Sequence, residues 1–472
     1  MTEPRTEAER RNQLLGPILV RAAEAYILEN GAEGMYEHLT RVFAVSRATA
    51  QSLLVRQAGW VKTRETAAAA YAKVREATRL EPTNPELRAR DRRIKELAAD
   101  LSIAKQQLDK ADAKKTIVEQ LVGVVKEEIQ PWEPRPMTLP KPKAGQFLVD
   151  GALALTDEHG DEVITGPSTW GLERYNFDIF RIRLQRWAKV AAAYMAQHLP
   201  RYHFERLWVF KLGDSVHGNL HTPGQKYRNH FGNDLRAAIA VGEAEADAIV
   251  RVLDFVPEVN IVAVSGNHPR QTLKKDYNDP HDNLDFLVAT IIELRLRKYI
   301  EAGRVNVFAP RAYSAYVDVR GRVNALNHGD DVQGTWGIPW YGFSRHEGRV
   351  QALLGRVDQR ADFFWYGHYH TDVGAAENGA RSIHSGAFTL TDQYIINKVK
   401  AANEPSQIMQ VFDDPLGRIL EIPIYLRDPE KEAAYWNGKY QPEIGRDSAL
   451  TRLAWTDDLA EKGGFPLIKA AS

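Results

Sequence analysis

The chain has 472 residues, 44% hydrophobic and 26% charged, with 62 basic against 62 acidic side chains and no cysteine. The missing thiols exclude a disulfide framework, a Cys-ligated zinc or iron–sulfur site and a thiol nucleophile, so any metal must sit on His, Asp, Glu or Asn. The length predicts about three domains and a core that needs no staples, while the neutral balance argues against a chain-wide basic surface but not a local one.

The polar start, MTEPRTEAERRN, has no apolar stretch, and no run approaches a membrane span. The expectation is a cytoplasmic protein without a membrane partner. Residues 1–60 read as helical. In 39–57 a short amphipathic helix breaks at Ala44–Ser46, and Ser46 is placed to cap a second helix. This is a candidate helix-turn-helix DNA-binding domain that would present Arg47, Thr49 and Gln51 to a groove. Between 41 and 80 there are eight Lys/Arg and two Glu, a local net of +6, as phosphate contact requires. A small helical bundle with a solvated basic face is the plain alternative. Residues 61–130 read as a helical, coiled-coil segment. Ile94, Leu97, Leu101, Ala104, Leu108 and Ala111 recur at heptad spacing, so the N-terminal helices could join copies of the chain or pack as a hairpin.

A Pro-rich linker follows at 131–146, with five Pro in 131–143. Beyond it short apolar strands alternate with helices, which predicts an α/β domain over 147–430. Expected strands are 207–212, 259–265, 305–308, 315–319, 323–327, 363–366, 408–412 and 419–426, with helices such as 174–198 and 234–254. Residues 431–472 read as an appended polar tail.

Five segments of this domain gather metal-ligand side chains: Asp157-Glu158-His159, Gly213-Asp214, Gly266-Asn267-His268, His328, and Gly367-His368-Tyr369-His370. An apolar strand runs out, a turn follows, then a ligand-type residue. The carboxyl ends of strands form the crevice where α/β sheets bind ligands, and they hold side chains rigidly.

In their order these segments resemble the motifs of the calcineurin-like metallophosphoesterases. The resemblance implies a four-layer α/β/β/α sandwich, here preceded by an all-α N-terminal region. It implies two divalent ions, manganese foremost, with iron, zinc or nickel also suited to mixed N/O ligands. Asp157, His159, Asp214 and His370 would hold the first ion, Asp214 would bridge, and Asn267, His328 and His368 would complete the second. His268 would face the scissile phosphate, oriented by Asp157, and a hydroxide bridging the ions would attack. His217 stands where many members have an Asp followed by Arg, which disfavours the Ser/Thr protein phosphatase branch. Pro269 stands where an acidic residue often follows.

Around this set, His217, Arg270 and His384 are candidate substrate contacts, each with a plain alternative as a surface or core residue. Trp336 and Tyr341 could stack a nucleobase or simply pack under their loop. The expected activity is hydrolysis of a phosphodiester. A nuclease or DNA-processing enzyme is favoured by the basic arm. The alternatives are a small-molecule nucleotide phosphodiesterase or phosphatase, and a DNA-binding protein with a non-catalytic core.

Overall fold

The computed structural model describes residues 116–136, 139–220, 224–272, 279–332, 339–377 and 379–442. The chain divides into two units, 1–110 and 111–472. The first lies outside the described residues, and so do the candidate helix-turn-helix with Arg47, Thr49 and Gln51 and the heptad seam.

In chain order the second unit contains α1 (Ile117–Glu128), β1 (Phe147–Leu155), α2 (Phe177–Ala193), β2 (Tyr202–Lys211), α3 (Asp234–Val252) and β3 (Glu258–Ala263). It continues with α4 (Leu284–Glu301), β4 (Val305–Phe308), β5 (Ser314–Val319), β6 (Arg322–Asn327), α5 (Pro339–Leu354) and β7 (Phe363–Tyr366). It closes with β8 (Val373–Glu377), β9 (Ala380–His384), β10 (Ser406–Asp413), β11 (Gly417–Tyr425) and α6 (Pro429–Trp436). Among the described residues no helix is long and apolar enough to cross a membrane.

The strands form two sheets, ordered β11-β10-β1-β2-β3-β4 and β5-β6-β7-β9-β8. Alternation along each strand stacks them. In β1, Val149, Leu153 and Leu155 join the core under the helices, while Ala152 and Ala154 face the second sheet. In β7, Phe363 and Trp365 point into the space between the sheets, and Phe364 and Tyr366 point out toward Phe343 and Leu354 of α5. The result is four layers: helices α2, α3 and α4, two sheets face to face, then α5.

β1, β2, β3 and β4 run parallel, so each connection is a helical crossover. All three crossover helices start alike. Asn176, Asn233 and Asn283 cap α2, α3 and α4 through their side chains, and an Asp follows in the first turn, where it complements the helix dipole.

β4 and β7 match the sequence expectation residue for residue. β8 carries no sequence signal, being a mostly exposed run of Val, Gly, Ala, Ala and Glu at a sheet edge. Two segments are more integrated than composition suggests. α1 falls in the range read as part of the arm, yet a Thr116–Glu119 capping box starts it, and Val118, Val122 and Val125 bury themselves beside α4. The Pro-rich stretch after it is strapped to α4, with the Trp132 N–H donating to the Arg295 carbonyl at 2.9 Å.

At the other end, α6 crosses the boundary expected at 430/431. Glu432 accepts from Arg183 Nε at 3.0 Å, and the same guanidinium bonds Glu173 and the Phe388 carbonyl. Residues 431–436 therefore lock the chain onto α2 rather than trailing from it.

Trp365 lies fully buried between the sheets, edge-on to Phe210 at 5.1 Å, with its Nε1–H bonded to Asn324 Oδ1 at 2.9 Å. Trp365→Ala should lower unfolding stability by about 3–5 kcal/mol in urea titrations. A loss below about 1 kcal/mol would show that the inter-sheet layer does not carry the fold.

Candidate metal centre

Each ligand-type residue stands just past a strand. Asp157 and His159 follow β1, Asp214 and His217 follow β2, and Asn267 and His268 follow β3. His328 follows β6, and His368 and His370 follow β7. The loops lock to one another by backbone: Asp157 N–H donates to Gly213 O at 3.1 Å, His159 N–H to Asp214 O at 3.0 Å, and Gly367 N–H to His328 O at 3.0 Å.

The turns are tight enough to need unusual backbone. Asp157, His159, Asp214, His368 and His370 all have φ between 42° and 65°, the left-handed region that side chains disfavour. Conformations of this kind cost about 1–3 kcal/mol each and persist where the surroundings over-determine them. The motif glycines have a matching reason. A Cβ on Gly266 would strike the Asp214 carboxylate, and one on Gly367 would strike that of Asp157.

Two groups of donors result. The ligand atoms of Asp157, His159 and His370 lie within 4.8 Å of one another, and so do those of Asp214, His328 and His368. Asn267 Oδ1 joins the second group, 2.9 Å from His328 Nε2 and 3.0 Å from His368 Nδ1. At His328 this packing requires either an added proton or a cation. His328 Nδ1 sits 2.7 Å from the Leu212 carbonyl, which can only accept, so that nitrogen carries the hydrogen. Its Nε2 then faces two acceptors, Asp214 Oδ2 at 3.1 Å and Asn267 Oδ1. His159 and His370 turn their Nε2 atoms toward each other at 3.3 Å, and their buried Nδ1 atoms have no hydrogen-bond partner. Acceptors crowded in a buried space need positive charge between them. The oxygen and imidazole donors fit divalent cations.

The ionisation balance agrees. Burial works against a charged ring at His328, but the adjacent Asp214 carboxylate prevails and pushes its pKa up to about 10. Burial and the His328 charge together bring His368 down to about 4. Asp214 itself is held well below the carboxylate range: burial opposes this, and His328 beside it outweighs burial. Without a metal the centre keeps a proton on His328; a cation would take that place.

His268 lies over the first group, its ring 4.6 Å from that of His159. Its backbone N–H donates to Asp214 Oδ1 at 2.9 Å, and its Nδ1 lies 3.2 Å from the His217 carbonyl. Gln225 Nε2, 3.1 Å from the same nitrogen, also donates to that carbonyl. The orienting contact that the resemblance offered to Asp157 thus falls to the His217 carbonyl. The Asp157 carboxylate is engaged elsewhere, accepting the His368 N–H at 2.9 and 3.0 Å and the Thr156 hydroxyl at 2.9 Å. The His217 ring is inside the centre, forming a third close group with His159 and His268.

Arg270 folds back on its own loop, donating to the carbonyls of Asn267 at 2.8 Å and Thr272 at 3.0 Å. His384 sits apart from the three groups. It is buried against Phe343, Tyr366 and Trp340, its Nε2 is 2.9 Å from Ser382 Oγ, and burial lowers its pKa to about 3. Trp336 lies outside the described residues.

Asp285 escaped the sequence reading. Fully enclosed in the first turn of α4, it accepts three backbone N–H groups: Asp214 at 3.1 Å, Ser215 at 2.9 Å and Gly266 at 2.8 Å. It pins the Gly-Asp and Gly-Asn-His turns together. In sequence it reads only as an acidic residue after an Asn cap.

The five segments that resemble calcineurin-like metallophosphoesterase motifs converge here on one cluster. No family model matches the chain, and no curated protein matches it. Among solved structures, Vacuolar Protein Sorting 29 from Cryptosporidium parvum is 15% identical, with 60% of this chain and 94% of that one covered and a TM-score of 0.27. An archaeal phosphodiesterase is 10% identical over 58% of this chain and 99% of its own, at a TM-score of 0.27. A hypothetical protein from Pyrococcus horikoshii is 10% identical over 63% and 100%, at 0.30. Likenesses of this size carry no argument about function, which rests on the cluster itself.

Metal should stabilise the fold that carries these turns. Saturating manganese at about a hundred times its Kd adds roughly 2.7 kcal/mol and raises Tm; chelator reverses the rise. Asp214→Asn should abolish most of the shift in thermal melts. An unchanged Tm for the native chain with and without manganese would contradict the fit.

Proposed function

We propose that this chain is a dinuclear-metal phosphodiesterase. The observation that carries the reading is the pair of adjoining buried donor groups with His268 set over them. Asp157, His159 and His370 would hold one ion and Asn267, His328 and His368 the other, with Asp214 between them. Two divalent ions at such a centre, manganese foremost, supply an activated water and neutralise charge on phosphoryl oxygens.

The chain's own residues do the rest. With Nδ1–H turned to the His217 carbonyl, His268 presents Nε2 toward the substrate side. With a proton on Nε2 it would stabilise the charge developing on the phosphoryl oxygens or deliver that proton to the leaving oxygen. Burial lowers this ring's pKa below the usual histidine range, while the Asp214 carboxylate opposes the shift. Asp285 and the left-handed turns fix the donors, which limits reorganisation during the reaction.

Nucleic acid is the substrate we favour, because residues 41–80 carry a net +6 for phosphate contact. His268→Ala should lower kcat for a chromogenic phosphodiester in manganese by about 10²–10⁴ while metal content holds. Turnover of the monoester chromogen alone would overturn the diester reading. Turnover of the small diester without cleavage of DNA would move the substrate to a free nucleotide.

A further inference from the structure

Among the exposed aromatic side chains, three stand on loops tied to the loops of the site. Tyr227 is 81% exposed, Trp170 65% and Tyr394 61%. Exposed aromatics scattered singly need no explanation. These three lie on loops fastened to the centre, and two of them are matched with a lysine. Lys226 Nζ is 5.1 Å from the Tyr227 ring, and Lys400 Nζ is 5.3 Å from the Trp170 ring.

The fastening can be followed contact by contact. His217, inside the cluster, has Nδ1 at 3.5 Å from Glu162 Oε2. Glu162 Oε1 pairs with Arg228 Nη1 at 3.2 Å, next in the chain to Tyr227. On the other loop, Asn403 Nδ2 donates to the His370 carbonyl at 2.8 Å, and its backbone N–H bonds Leu390 O at 2.9 Å. Tyr394 and Lys400 lie on the turn between Leu390 and Asn403. Lys400 reaches Trp170, which sits on the connection between β1 and α2 in the left-handed conformation, φ 55°.

An aromatic face that can take a base, beside a cation that can take a phosphate, is the unit of sequence-tolerant single-strand binding. A duplex hides its base faces, so such a rim discriminates by strand state. We infer that Trp170 and Tyr227, with Lys400 and Lys226, form a rim that stacks unpaired bases and feeds a single nucleic-acid strand to the metal cluster. The inference rests on the phosphodiesterase reading and names its substrate class: single-stranded nucleic acid.

The test uses the full-length, manganese-loaded protein and a fluorescent phosphorothioate oligonucleotide of mixed sequence, single-stranded and annealed, read by anisotropy. The native chain should bind the single strand more tightly than the duplex. The Trp170→Ala/Tyr227→Ala double variant should lose about tenfold or more in single-strand affinity and little for duplex. Trp170→Phe/Tyr227→Phe, which keeps both stacking faces, should restore single-strand binding. Equal affinity of the alanine variant and the native chain for the single strand would overturn the inference, and so would native binding that favours duplex. Turnover of the small chromogenic diester, followed in parallel on the native chain, separates the two claims. If it proceeds while single-strand binding is absent, the rim fails and the enzyme reading stands. If it is absent while binding behaves as expected, the enzyme reading fails instead.

Discussion

Buried hydrogen-bond acceptors facing one another form the constraint on which the rest of this structure depends. Asp214 Oδ2 and Asn267 Oδ1 both face His328 Nε2, at 3.1 and 2.9 Å, and can be joined there only by a proton or a cation, while His159 and His370 bring ring nitrogens to 3.3 Å. Such packing is repulsive unless positive charge sits inside it. The fold therefore holds an arrangement that is poor in isolation and good around cations, as a site preorganised for metal requires.

Holding it takes support in several directions. The left-handed turns at five of the site residues would relax if unsupported. Asp285 ties two of them by accepting three amides. Lys211, fully enclosed behind the first motif, bonds Glu158 at 3.0 Å and also pairs with Glu245. Glu158 separates the ligands Asp157 and His159, and its carbonyl accepts the Tyr175 hydroxyl at 2.6 Å. Burial opposes the charge on Lys211, yet the two carboxylates hold it protonated. Arg183 does similar work at longer range. It joins Glu173, Glu432 of α6 and the Phe388 carbonyl, while the Phe388 N–H donates to the Asp157 carbonyl at 3.1 Å.

What could be read in advance divides along the range of the interactions. β4 and β7 are legible residue for residue because an apolar run between turns is a local signal. The ligand-type residues are legible because strand, turn and ligand sit within a few positions of one another. Asp285 is not, since its partners lie 19 to 71 residues away in sequence. Nor is the orientation of His268, which depends on the carbonyl of a residue in another loop. The same holds for 431–436, read as the start of a polar tail but placed by Arg183, a residue some 250 positions earlier. Arg270 shows the converse: its position after the Gly-Asn-His turn suggests a phosphate clamp, and the structure turns its Nε and Nη1 to two carbonyls of its own loop, a contact no local pattern announces.

The central claim is that the two donor groups hold a pair of cations. Crystals grown with manganese and measured at its absorption edge test it most directly. The account predicts two anomalous peaks per chain about 3.5–4 Å apart, one among Asp157, His159 and His370 and one among Asn267, His328 and His368, with Asp214 between them. A cluster with no anomalous peak at saturating manganese, its histidines relaxed into hydrogen bonds of their own, would contradict it.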